Sequence, residues 1–173
     1  MSFDKNRVVE IANIKIGDYQ SPRFISEIGV NHLGSIDRFK NMIKLSVDSG
    51  ADFIKFQTYN AETRYDKKNN PKAEQFIKLT KNWELSKEEN IEAWNYAKSL
   101  GARVFTSVYN EDVIKFSLDM GTVAFKIAAF EITNLRLISA IAETGLPVIA
   151  SVGMASKDEI DKCVEVLNKK NIP

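Results

Sequence analysis

The chain has 173 residues, 44% of them hydrophobic, which is enough for one domain with a buried core. Its 24 basic and 23 acidic residues leave a net charge of +1, which excludes a strongly basic nucleic-acid surface and a polybasic membrane patch. No apolar run reaches the roughly 20 residues of a bilayer span. The opening stretch MSFDKNRVVE has no apolar signal-peptide core, and the single cysteine, Cys163, has no disulfide partner and suits a reducing cytoplasm.

Residues 8–16, VVEIANIKI, hold two short apolar segments around Ala12 and Asn13, which predicts a hairpin suited to covering one end of a barrel. A first strand from Phe24 to Glu27 leads into a helix capped by Ser35, with Phe39, Met42, Ile43 and Val47 at helical spacing and Gly50 closing it. The second strand, Phe53 to Gln57, is followed by the polar segment YNAETRYDKKNNP. That segment lacks periodicity and reads as a functional lid or a partly disordered loop, interrupted by a short helix from Lys72 to Leu79. Ser86 and Glu89 form a capping box that opens the helix ending at Leu100 and Gly101. Strands at Val104 to Ser107, Phe125 to Glu131 and Val148 to Ser151 follow, each leading into a helical pattern.

Strands alternating with helices imply βαβ units and a parallel sheet. A doubly wound sheet gathers its site at one switch point, usually with a glycine-rich phosphate loop, and this chain has neither G-x-G-x-x-G nor a Walker sequence. Nearly every strand instead ends in a polar group, which is how a TIM-type (β/α) barrel builds a central site. A full barrel has eight units, so the chain supplies about the first five. It divides into residues 1–22, hairpin and lead-in, and residues 23–173, a partial barrel.

The strand ends carry Glu27, Lys55, Gln57, Ser107, Lys126, Glu131 and Ser151. Two lysines in one cavity repel each other, an arrangement suited to a multiply charged anion such as a phosphate or carboxylate. Ser107 and Ser151 add hydroxyl donors to such a cage. Glu27 and Glu131 fit two roles, a general base or sugar-hydroxyl ligand, or a counterion for Lys55 or Lys126. Gln57 shares a strand face with Lys55 and reads as an orienting amide. His32, the one histidine, lies in the loop after the first strand, where fixing a turn is the simpler role. A site with two histidine ligands is therefore beyond this chain alone.

The motifs FISEIGVNHLG, GADFIKFQT, FKIAAFEITN and VIASVGMAS, in this order, resemble the sialic acid synthase family of nonulosonic acid synthases. The resemblance implies a barrel enzyme that condenses phosphoenolpyruvate with an N-acetylmannosamine-type sugar, releasing phosphate and forming a 2-keto acid. It further implies a divalent metal, manganese or magnesium, held by histidines on later strands, and a homodimer completed by a further C-terminal domain. By position, Lys55, Ser107, Lys126 and Ser151 resemble phosphoenolpyruvate ligands, and Glu27, Gln57 and Glu131 resemble groups at the sugar or the reacting centre. Ala129 departs from the family's serine, and FEIT is closer to the pseudaminic acid synthases. The readings left open are a pseudaminic or legionaminic acid synthase acting on another 2-acetamido sugar, a different phosphoenolpyruvate-dependent synthase, and a truncated anion-binding barrel without catalysis. Without the later ligands, these residues alone are expected to be inactive.

Overall fold

The computed structural model describes residues 7–173, so most of the opening stretch read above for a signal peptide lies outside the described residues. Strands β1 (Val8–Ile11) and β2 (Ile14–Gly17) form an antiparallel hairpin. Its turn is made by Ala12 and Asn13, both at positive φ (49° and 65°), the geometry that matches a two-residue loop to strand twist.

Five parallel strands follow, β3 (Ile25–Gly29), β4 (Phe53–Gln57), β5 (Val104–Ser107), β6 (Phe125–Ile127) and β7 (Val148–Ala150), and they lie side by side in chain order. A doubly wound sheet reverses that order at a switch point, whereas a barrel adds each strand to the same edge. The protein is thus a run of five consecutive (β/α) units of a TIM-type barrel, with β3 and β7 at the edges of the sheet.

Alternation along the strands sorts the side chains. Ile28, Ile54, Phe56 and Val104 face outward against α1 (Ile36–Asp48) and α4 (Lys87–Ser99), where Phe56 stands edge-on to Phe39 and Trp94 at 4.6 and 5.3 Å. Phe125, Ile127, Val148 and Ala150 pack outward with α5 (Glu111–Asp119), α6 (Leu135–Ala142) and α7 (Lys157–Asn168). Residues one step along face inward. At the N-terminal ends of the strands these are Phe53, Phe105 and Ile149, and Val9, Ile11, Ile14 and Ile16 of the hairpin close over them. The hairpin is the lid of the barrel's lower end, as its apolar content predicts.

Helix signals act where expected. The Ser35 side chain accepts from the Arg38 amide, and Ser86 and Glu89 make a reciprocal capping box. Four boundaries differ from the sequence reading. Phe24 is 70% exposed and precedes β3. Residues 59–71 are ordered by a four-residue helix, α2 (Ala61–Arg64), and by Asp66, which accepts from the amides of Lys68 and Asn69, with α3 (Ala73–Lys81) following. A helix that short shows no periodicity, and it packs through Ala61 with Tyr59, Ala73, Ile77 and Tyr109 over the strand ends. The other two are β6, which stops at Ile127 before a 3₁₀ turn at Ala129–Glu131, and β7, which stops at Ala150, one residue before Ser151.

Phe56→Ala removes a ring enclosed between Phe39 and Trp94 and is expected to cost about 3 to 5 kcal/mol in denaturant unfolding. Phe130→Ala, at a ring 56% exposed, is expected to cost much less, about 1 kcal/mol or below.

Candidate active site

The inward positions at the C-terminal ends of the strands carry the polar residues. Glu27 is beside Lys55 in the β3–β4 register, Gln57 beside Ser107, and Ser107 beside Lys126. Lys55 is buried, with 8% of its side chain exposed, and donates to Glu27 Oε1 at 2.7 Å, while the Glu27 side chain at the β3 edge is 55% exposed. Of the two roles open to Glu27, the structure therefore shows the counterion directly.

Gly29 makes room for this pair. It stands at φ +55° beside a register shift in β3, and a Cβ there would lie 2.8 Å from Glu27 Oε1. Only glycine takes that backbone conformation and leaves that space without displacing the carboxylate.

Lys126 has no carboxylate within ion-pair distance among the described residues. It donates instead to the carbonyl of Ile127 at 2.6 Å and to Ser151 Oγ at 2.5 Å. Burial, and then the charge of Lys55, push its pKa below the ordinary 10.5, with Glu27 acting weakly the other way. Lys55, Lys126 and Glu27 thus share one electrostatic environment with an excess of one positive charge, and Ser151 is drawn into it.

Glu131 is placed differently from expectation. Had β6 continued to residue 131, alternation would have set Glu131 on the face opposite Lys126. The 3₁₀ turn redirects it, and it accepts from Asn134 Nδ2 at 2.7 Å, the residue that also caps α6. Burial raises its pKa, while Asn134 and the charge of Arg64 pull it back. Glu131 neutralises neither lysine.

Arg64 and Tyr109 were not picked out by the sequence reading. The Arg64 guanidinium lies over the rings of Tyr109, Tyr59 and Tyr65 at 4.3, 4.9 and 5.4 Å. With its amide in the orientation that satisfies its neighbours, Gln57 accepts through oxygen from Arg64 Nη1 and Nη2 at 3.2 and 3.1 Å and from the Tyr109 hydroxyl at 3.1 Å. Burial pushes the Tyr109 phenol up, and Arg64 and then Ser107 draw it back. Phe130 stacks on Tyr109 at 5.8 Å. The polar strand ends therefore form two groups: Lys55, Glu27, Lys126 and Ser151, and beside them Gln57, Ser107, Arg64, Tyr109 and Glu131.

Among the described residues no three His, Cys, Asp or Glu side chains converge. His32 is buried, accepts from the Gly34 amide through Nδ1 at 3.2 Å and stacks on Phe39 at 4.7 Å, so it fixes its turn. Burial lowers its pKa. No helix among the described residues is long and apolar enough to cross a membrane. A cleft of about 660 Å³, lined by Thr58, Glu84, Asn110 and Asp119 among others, includes neither Lys55 nor Lys126.

A model of the NeuB family matches residues 42–172. The chain belongs to the NeuB family. It is 32% identical over 152 residues to an N,N'-diacetyllegionaminic acid synthase of Legionella pneumophila, covering 83% of this chain and 43% of that protein. It is 27% identical over 167 residues to a pseudaminic acid synthase of Helicobacter pylori, covering 88% and 47%. The crystal structure of an N-acetylneuraminic acid synthetase from Leptospira borgpetersenii in complex with citrate superposes with a TM-score of 0.87 at 32% identity, over 97% of this chain and 57% of that one. This NeuB-family chain thus spans about half the length of the curated relatives it matches.

The depressed Lys126 pKa has a consequence for pH. Below the folded-state value the native protein carries a charge it disfavours. Stability rises as pH climbs from that value toward 10.5, where the native state has lost the proton and the unfolded chain still holds it. In thermal unfolding, Lys126→Met is expected to melt above wild type at pH 7 and to lose this alkaline gain. Inorganic phosphate is expected to raise the wild-type Tm and to leave Lys126→Met unmoved; equal phosphate shifts in both would remove Lys126 from the anion site.

Proposed function

We propose that the protein is a nonulosonic acid synthase, in which C3 of phosphoenolpyruvate bonds to the aldehyde carbon of an N-acetylmannosamine-type sugar. Water oxygen adds at C2, the C–O bond to phosphate breaks, and a nine-carbon 2-keto acid and phosphate leave. The observation that carries this reading is the Lys55–Lys126 pair, two cations in one environment with Glu27 as the near counterion. Phosphoenolpyruvate, with its phosphate and carboxylate, supplies the missing negative charge.

In this reading Lys55, Lys126, Ser107 and Ser151 bind the phosphate and carboxylate. Their donors fix the enol carbon in the inward-facing space, where lowered dielectric strengthens each contact. Glu27, Gln57 and Glu131 meet the sugar. Glu131, protonated more readily than an ordinary carboxyl, suits donation to an oxygen that gains charge as the aldehyde is attacked. Ala129 contributes no hydroxyl, so anion binding rests on the two lysines and two serines.

A divalent cation, manganese or magnesium, belongs to the same proposal, and the described residues do not fit it, so no step here runs through it. By themselves these residues then bind phosphoenolpyruvate without turning it over. A cytoplasmic homodimer is the proposed working form. The relatives named for legionaminic and pseudaminic acids support a second acceptor class, another 2-acetamido sugar, which a substrate panel separates from N-acetylmannosamine.

The test is phosphoenolpyruvate binding by titration, with phosphate release measured in the presence of manganese and a panel of 2-acetamido sugars. Binding without phosphate release is expected from the 173 residues. Lys126→Ala is expected to weaken binding about 10- to 100-fold, the loss of one or two charge-assisted hydrogen bonds. Turnover by this chain alone would defeat the assignment of essential ligands elsewhere. Unchanged affinity in Lys55→Ala plus Lys126→Ala would defeat the anion cage.

A further inference from the structure

We infer that Lys126 is a nucleophilic amine that condenses reversibly with the carbonyl carbon of a 2-keto acid and holds it as an imine. This covalent role goes beyond the synthase reading, in which the same side chain acts only as a cation, and does not depend on it.

An ammonium has three N–H groups, whereas a neutral amine has two and a lone pair. The protein offers Lys126 Nζ two acceptors, the Ile127 carbonyl at 2.6 Å and Ser151 Oγ at 2.5 Å, and no third among the described residues. Those two satisfy every donor of the neutral amine and leave its lone pair as the unoccupied position. Lys55 is the contrast. It meets the Glu27 carboxylate at 2.7 Å, a partner that favours the ammonium. Two lysines at one set of strand ends are thus prepared for different chemistry.

Two further features favour the free amine. Lys126 is partly buried on the inner face of β6, between the fully buried Phe125 and Ile127, and burial disfavours its charged form. The charge of Lys55 acts in the same direction, and Glu27 opposes the two by less. A lysine that is desolvated and set beside a second cation is the arrangement that makes an amine nucleophilic near neutral pH.

The class of ligand follows from the surroundings. A 2-keto acid carries its carboxylate one bond from the carbonyl carbon. With that carbon at Lys126, the carboxylate has donors in Lys55 and in Ser107, which stands beside Lys126 in the β5–β6 register. In the reaction the Nζ lone pair adds to C2, the C=O π pair moves to oxygen, and a proton passes from nitrogen to that oxygen, giving a carbinolamine. The hydroxyl then leaves as water with one proton from solvent, and the nitrogen lone pair closes a protonated C=N bond. The positive charge of this imine lies next to the ligand's own carboxylate, which a simple ketone lacks.

The probe is pyruvate, with sodium cyanoborohydride to deliver hydride to the imine carbon and fix the adduct as a secondary amine. In mildly alkaline buffer the 173-residue chain is expected to gain one group with the mass of pyruvic acid less one oxygen, and peptide mapping is expected to place it at Lys126. Acetone, which has the carbonyl without the carboxylate, is expected to label Lys126 about tenfold or more slowly. Lys126→Met is expected to lose the fast adduct and to keep only slow labelling of exposed lysines such as Lys78. Inorganic phosphate is expected to slow trapping in wild type by holding Lys126 as the ammonium. The imine is ruled out if Lys126 is labelled no faster than Lys78, if Lys126→Met traps pyruvate as fast as wild type, or if acetone labels Lys126 as fast as pyruvate. Fast trapping at Lys126 that phosphate leaves unchanged supports the imine and counts against the anion site of the synthase reading instead.

Discussion

The two-residue alternation of β4 is the constraint on which the site depends. Ile54 and Phe56 point outward into the core built around Phe39, Ile43 and Trp94, and they are almost fully buried there. Lys55 and Gln57 are then committed to the inner face, because a slip of one residue would drive an ammonium and an amide among aromatic rings and expose Ile54 and Phe56. The same rule sends Lys126 inward between Phe125 and Ile127. Packing on the outside of the sheet fixes the chemistry on the inside.

Burying a lysine needs compensation, and the two lysines receive it differently. Lys55 has Glu27, held where it is by the space that Gly29 leaves. Lys126 has the neutral oxygens of Ile127 and Ser151. An ammonium solvated by neutral oxygens beside another ammonium is poorly compensated until an anion arrives. The pair is thus asymmetric, one cation met by a carboxylate and one by neutral oxygens alone. The hairpin closes the opposite end of the inner face with aliphatic side chains, which keeps the charged groups at one end only.

The second group of polar residues is assembled differently. Among the described residues Arg64 has no carboxylate within ion-pair distance; it meets an amide oxygen and three aromatic faces. Within this group Tyr109 meets Ser107 at the end of β5 and stacks on Phe130 in the turn after β6. The relatives in the NeuB family carry names of synthases for several nonulosonic acids.

By itself the sequence determined the strand-borne part: the parallel units, the hairpin lid, and Lys55, Gln57, Ser107, Lys126 and Ser151 as groups on one face. Each is set by a period of two inside a short apolar run, and that period can be read along the chain. Where the chain leaves its regular elements, only the tertiary structure decided. Glu131 reads as a strand end but is carried to Asn134 and Arg64 by a turn in which alternation no longer applies. Arg64 lies on a helix of four residues, too short to show a period, and its contacts exist only because Tyr109 and Gln57, distant in sequence, are packed against it. Local patterns are carried by neighbouring residues, whereas a contact between loops is specified by how three elements pack together.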